Sequence, residues 1–267
     1  HDIIAHLLAA RAIAKFQGDA MKIFKALLAT ALITATLSAK TLKEGTLVIA
    51  TEGTYSPYSF YDEKNNLTGF DVDIARALAK ELGLKAEFLT APWDAMLAAF
   101  DAGKADIAMN QVSITQERKK KYNFSEPYTV AYAALVVRAD NEEIKSFADL
   151  KGKKSVHSAT SNWADMARSY GAEIVTADGF SKGVELIIAR RADATINDNI
   201  TFFDYMKQRP NAPLKIAAQG NEPIYSAVLL KKDDELTAQI NSALKSLKQK
   251  GVLKEISLKY FGKDITE

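Results

Sequence analysis

The chain has 267 residues, 48% of them hydrophobic and 25% charged, with a formal charge of +2, the composition of an ordinary folded protein with one large domain or two lobes. Residues 1–39 hold four Lys/Arg against two Asp, so the remainder balances at 31 of each sign, which argues against the basic footprint of a nucleic-acid or anionic-membrane binder. Cysteine is absent, and His157 is the one histidine beyond residue 39; this excludes disulfides, thiolate metal sites and lipid attachment through cysteine, and argues against a histidine-rich metal centre or a Ser–His–Asp triad.

The first 39 residues read as a leader. Met21-Lys22-Ile23-Phe24-Lys25 is a basic start, Ala26 to Leu37 is an apolar stretch diluted by threonines, and Leu37-Ser38-Ala39 offers small residues for cleavage before Lys40. That is the pattern of a secretory signal peptide, too short for a membrane span. Residues 1–20 lie upstream of this methionine and are set aside, with an amphipathic helix as the alternative. The expected product is a periplasmic protein.

Thr46-Leu47-Val48-Ile49-Ala50 reads as a buried strand. Gly53 and Pro57 break regular structure after it, and Asn65-Asn66 with Gly69 mark a hairpin-like turn. Asp71 is a candidate cap for a helix carrying Ile74, Leu78 and Leu82, stopped by Gly83. Leu84, Ala86 and Phe88 alternate as a strand; Trp93 to Ala102 is the next helix, and Ile107 to Met109 the next strand. This alternation predicts mostly parallel sheets. Tyr132 to Val137 and Tyr225 to Leu230 read as paired crossing strands, and Leu236–Lys250 and Val252–Phe261 as amphipathic helices divided by Gly251.

Lys104-Ala105-Asp106-Ile107-Ala108-Met109-Asn110-Gln111 is echoed by Arg191-Ala192-Asp193-Ala194-Thr195-Ile196-Asn197-Asp198. The plain reading is a shared helix–turn–strand connection in which Asp106 and Asp193 shape the turn. The sharper reading is two similar lobes presenting Gln111 and Asp198 to one cleft. A buried Asp there needs a cationic partner, and a ligand ammonium would serve. Just beyond the first copy, Asn110 to Ser113 and Arg118 lie at a strand's carboxyl end, where open α/β sheets bind ligands. A guanidinium holds a carboxylate through two parallel hydrogen bonds; a solvated arginine beside Lys119-Lys120-Lys121 is the bland alternative. Ser158-Ala159-Thr160-Ser161-Asn162 precedes a helix starting near Trp163, and either caps it or binds an anion there.

Over roughly residues 44–262 these features resemble the periplasmic solute-binding proteins for polar amino acids that serve ABC importers. The carrying motifs are Gly53-Thr54-Tyr55-Ser56-Pro57-Tyr58-Ser59-Phe60, Gly69-Phe70-Asp71-Val72-Asp73, Trp93-Asp94-Ala95-Met96-Leu97, Asn110 to Arg118 with Tyr122-Asn123-Phe124-Ser125, and Asn197-Asp198. The resemblance implies a type II periplasmic-binding-protein fold, α/β, with two Rossmann-like lobes joined by a two-strand hinge. Lobe 1 would hold residues 40–133 and 226–267, and lobe 2 residues 134–225. It implies that Arg118 grips the ligand α-carboxylate with Thr160 and Ser161, that Asp198 takes the α-ammonium with groups at Gln111 and Ser113, and that Asn110 is a further substrate-binding residue. Trp93 would pack on the ligand, and Tyr55 would lie in the loop that closes over it. Asn110-Gln111, Trp93-Asp94 and Ala159-Thr160-Ser161 look most like the cystine and cysteine binders. The expectation is a monomeric carrier without cofactor or metal, not an enzyme, that gives cystine or cysteine to a membrane permease by lobe closure. A dehydratase-like enzyme on this fold, with Asp198 or Glu52 as its acid or base, and a sensor ectodomain are the alternatives.

Overall fold

The computed structural model describes residues 40–232 and 234–266, so the leader expected over residues 1–39 lies outside the described residues. The chain begins with β1 (Thr46–Thr51), a run in which all six residues are buried. A small antiparallel sheet follows, from β2 (Thr54–Tyr55), β3 (Ser59–Tyr61) and β4 (Leu67–Thr68). Next come α1 (Phe70–Glu81), β5 (Lys85–Thr90), α2 (Trp93–Asp101), β6 (Ile107–Ala108), α3 (Gln116–Lys121) and β7 (Tyr122–Phe124). The middle of the chain holds β8 (Thr129–Arg138), β9 (Lys154–His157), α4 (Asn162–Ser169), β10 (Glu173–Thr176), α5 (Gly179–Ile188), β11 (Ala194–Asp198), α6 (Asn199–Gln208) and β12 (Leu214–Ser226). It closes with β13 (Leu229–Lys231), α7 (Leu236–Gln249) and α8 (Val252–Phe261).

Two five-stranded sheets result, in the orders β5-β1-β6-β13-β7 and β10-β9-β11-β8-β12. Four strands of each run the same way, as expected, but β13 runs against β6 and β7, and β8 runs against β11 and β12. Each sheet thus carries one antiparallel strand. The chain leaves the first sheet along β8 and comes back along β12, and a returning strand opposes its neighbour. The expected strand Tyr225–Leu230 is divided for the same reason. Tyr225 and Ser226 end β12, paired with Val130 and Thr129, while Leu229 pairs with Ala108 and Phe124 in the other sheet. Between them, the Ala227 and Val228 amides donate to the Val112 carbonyl and the Ser125 hydroxyl.

Alternation along β8 supplies both faces of the second sheet. Ala134 and Val136 pack with Val156, Val184, Ile187 and Phe202, whereas Leu135 and Val137 pack with Leu150, Ala167 and Ile196. One face of the first sheet is filled by Met96, Phe100, Ala108 and Leu229.

The internal repeat has a plain structural cause. The Asp106 amide donates to the Val48 carbonyl, and its Oδ2 accepts from the Val48 amide at 2.7 Å. Asp193 does the same with Lys154, its carboxylate accepting from that amide at 2.8 Å. Each aspartate thus clips its strand to the neighbouring one.

Asp71 is not the cap of α1. That place belongs to Gly69 at φ 128°, where an added Cβ would meet the Tyr58 carbonyl oxygen at 2.2 Å. Asp71 is fully buried, and its carboxylate accepts from the Gln111 amide at 2.6 Å and the Gln111 side chain at 2.7 Å.

Candidate functional site

The carboxyl ends of β1, β6, β9 and β11 face a small cavity between the two sheets. Five of the expected site residues line it: Tyr55, Trp93, Asn110, Gln111 and Ser161. Ser113, Arg118, Thr160 and Asp198 do not line it; the last three are bonded to Asn162, Trp93 and Tyr55 of its wall, and Ser113 to Arg118.

Arg118 is set by its own short helix, α3. Thr115 caps that helix, its hydroxyl accepting from the Arg118 amide at 3.1 Å. The Arg118 Nη1 donates to the Ser113 carbonyl at 3.1 Å and to Asn162 Oδ1 at 3.2 Å, and Cζ lies 5.2 Å from the Trp93 ring centroid. Nη2 is buried and has no hydrogen-bond partner among the described residues. Burial lowers the guanidinium pKa to about 10, which leaves it charged at neutral pH. A buried charged donor without an acceptor is costly, and a carboxylate is the acceptor that fits a guanidinium best.

Asp198 is 5% exposed and caps α6. Its Oδ1 accepts from the Thr201 amide at 2.8 Å and the Tyr58 hydroxyl at 3.0 Å; Oδ2 accepts from the Tyr55 hydroxyl at 2.6 Å and the Thr201 hydroxyl at 2.7 Å. Burial and the Asp198 charge hold both tyrosine pKa values well above the ordinary range, so both hydroxyls remain protonated donors. Hydroxyl and amide donors thus reach both Asp198 oxygens.

The wall also contains Glu52, His157, Asn162 and Asn197. Glu52 is 7% exposed; burial pushes its pKa up to about 7, against hydrogen bonds from Asn110 and the Trp93 amide. The Asn110 Nδ2 donates to it at 2.6 Å, while Asn110 Oδ1 accepts from the Glu52 amide at 2.9 Å. His157 is paired with the Ser155 hydroxyl at 2.8 Å, and burial lowers its pKa to about 3, so the ring is neutral. Asp71, whose pKa burial likewise raises to about 7, holds Gln111 from behind. Gln111 adopts φ 50°, and its Oε1 accepts from Thr129 at the root of β8. Among the described residues, none of Glu52, Asp71 and Asp198 forms an ion pair. Of these acids Glu52 alone lines the cavity, and a guest cation beside it would favour its charged form.

Ser161 accepts from the Trp163 amide at 3.2 Å and so is the cap of α4. Thr160 is engaged elsewhere: its hydroxyl donates to Asp94 at 2.6 Å and accepts from the Trp93 indole at 3.0 Å. Of the residues that sequence reasoning left out of the site, Asn197 could have been found from its place in the repeat. Asn162 ends the Ser158–Asn162 stretch already singled out, whereas His157 carried no such signal, because only the packing of β9 brings it to the cavity.

Three comparisons bear on this geometry. The sequence matches the family described as bacterial extracellular solute-binding proteins, family 3, over residues 47–263. It is 43% identical over 255 residues to a probable amino-acid ABC transporter-binding protein of Haemophilus influenzae, covering 91% of this chain and 99% of that one. It is 39% identical to the L-cystine-binding protein TcyA of Bacillus subtilis, covering 84% of each. Among solved structures it is similar to the L-cystine solute receptor of Neisseria gonorrhoeae in its unliganded open conformation, at 42% identity and a TM-score of 0.55, covering 84% of this chain and 95% of that one. In the present structure the two lobes touch across the cleft, through Trp93 and Thr160 and through Tyr55 and Asp198.

Proposed function

The chain belongs to the bacterial extracellular solute-binding proteins of family 3, and we propose that its cleft receives a free L-amino acid, cystine or cysteine foremost, for hand-over to the membrane permease of an ABC importer. The buried, unpartnered Nη2 of Arg118, whose guanidinium bonds to Asn162 of a cavity lined by Glu52, carries this reading. The guanidinium supplies a carboxylate grip, Glu52 and the Gln111 side chain supply acceptors for ammonium groups, and the Asp198 charge behind the wall favours a cation there. A ligand touching both lobes stabilises the shut form, because only that form makes both sets of contacts. Relatives named for L-cystine favour that ligand, and a second acid, Glu52, suits the second ammonium of cystine. The lobes of this reading are residues 40–133 with 226–267, and residues 134–225, joined by β8 and β12. The working unit is a monomer in the periplasm, released from a signal peptide ending near Ala39.

A thermal-shift screen against all amino acids plus cystine tests this, since a ligand of the folded state raises Tm by mass action. Cystine or cysteine is expected to give the largest shift and to be displaced only at higher concentrations of glutamine, histidine or arginine. A larger shift with one of those three overturns the ligand, and no shift with any amino acid overturns the function.

A second reading rests on Glu52. A carboxyl pushed up to about 7 in a cavity is suited to general acid–base work. Turnover of cyclohexadienyl acids by the purified protein would establish an enzyme; its absence leaves the carrier.

A further inference from the structure

We propose that Asp94 is a positioning residue, whose carboxylate clasps the Ala159–Thr160 turn of the opposite lobe and so biases the cleft towards its shut form. Asp94 stands in the first turn of α2, directly after Trp93. Its Oδ2 accepts from the Ala159 amide at 3.0 Å, and its Oδ1 accepts from the Thr160 amide at 2.9 Å and the Thr160 hydroxyl at 2.6 Å. The Trp93 indole closes the ring by donating to the same hydroxyl at 3.0 Å. Two successive backbone N–H groups converging on one carboxylate form an anion-binding concavity, and the N-terminal turn of α2 also favours a negative charge. Asp94 makes no ion pair among the described residues, so these donors are its partners.

These are contacts between protein groups, so they act whatever side chain a ligand carries. They also fix where Trp93 and Ser161 stand, and both line the cavity. Across the cleft further contacts join Tyr55 and Tyr58 to Asp198, Arg118 to Asn162, and Ser56 to Asp204 and Gln208. Water competes for exposed donors and keeps the net gain of each bond modest. The expected influence is therefore a bias in the open–shut equilibrium, which ligand affinity inherits through the fraction of protein able to close. The affinity part of this inference rests on the amino-acid-binding reading; the lobe separation does not.

The test uses the full chain, in which the absence of cysteine allows spin labels at Lys64→Cys and Lys182→Cys, two exposed positions in opposite lobes. Inter-label distances are measured by electron–electron resonance with and without Asp94→Ala. The substitution is expected to shift the distribution to longer distances. L-cystine affinity should fall about tenfold through faster dissociation, and affinity for every other amino acid that binds should fall by the same factor. Thr160→Val added to Asp94→Ala should cost little more, because the two act as one unit. An unchanged distance distribution together with affinity within twofold of the parent overturns the clasp. So does a loss that differs between ligands, which would make Asp94 a specificity contact. If the parent chain binds no amino acid, the functional reading fails, and the distances alone decide: a shift upholds the clasp and no shift overturns it.

Discussion

The Arg118 guanidinium carbon lies 5.2 Å from the centroid of the Trp93 ring, and the buried Nη2 of the same group has no hydrogen-bond partner among the described residues. The aromatic face and two fixed acceptors orient the fork and leave the Nη2 N–H groups for a guest. Arg118→Ala is expected to abolish amino-acid binding while the protein still folds, because removing one partner of a buried charge pair costs about 3–5 kcal/mol. Arg118→Lys should also bind weakly, since an ammonium lacks the planar fork. Calorimetry with circular dichroism checks both; near-native affinity in folded Arg118→Ala removes the anchor from the site.

Asp198 accepts four hydrogen bonds, two of them from Thr201 within its own helix start. Asp198→Asn keeps a good cap residue but turns one of two acceptor oxygens into an amide nitrogen facing buried donors, and is expected to lower stability by about 1–3 kcal/mol. Beyond that, affinity for ligands with a free α-amine should fall much further than affinity for their deaminated analogues. Equal losses for the two ligand classes would mean that the residue serves α6 and the lobe contact alone.

The pH dependence follows from Glu52, Asp71 and His157. Burial raises the Glu52 pKa from 4.5 to about 7, so the folded protein binds its proton more tightly than the unfolded chain does. The associated stability is present below pH 4.5 and is lost as pH rises through about 7, a contribution on the order of 3 kcal/mol. Asp71 acts in the same direction, from 3.8 to about 7. His157, lowered from 6.5 to about 3, acts oppositely: its contribution is present above 6.5 and is lost as pH falls through about 3. Relative to Glu52→Gln, the parent chain is expected to lose Tm steadily between pH 4.5 and 7. Parallel Tm profiles for the two proteins would show that Glu52 is ionised in the fold.

Export is expected to cleave the chain near Ala39. The apolar run Ala26–Leu37 and the small residues before Lys40 motivate this. N-terminal sequencing of material secreted from cells should begin at or near Lys40, and a mature chain retaining residues 1–20 refutes it.

Local pattern was enough for much of the fold. The buried run of β1, the fourfold spacing of α1 and the glycine between α7 and α8 are nearest-neighbour signals, and they hold in the structure. The repeat around Asp106 and Asp193 was equally legible, because each aspartate clips an adjacent strand in the same way. Partnership was not. Whether Tyr225–Leu230 forms one strand depends on which sheet each half meets, and Leu229 finds its partners over a hundred residues away. The candidate site divides along the same line. The sequence determined that Arg118, Asp198 and Trp93 are residues able to hold a zwitterion. Only the tertiary structure decided that Asp198 has its acceptors filled by Tyr55, Tyr58 and Thr201, that Thr160 turns to Asp94, and that Glu52 and His157 line the cavity. Hydrogen bonds between side chains far apart in the chain are chosen by the packing of whole sheets, and the order of residues carries no local mark of them.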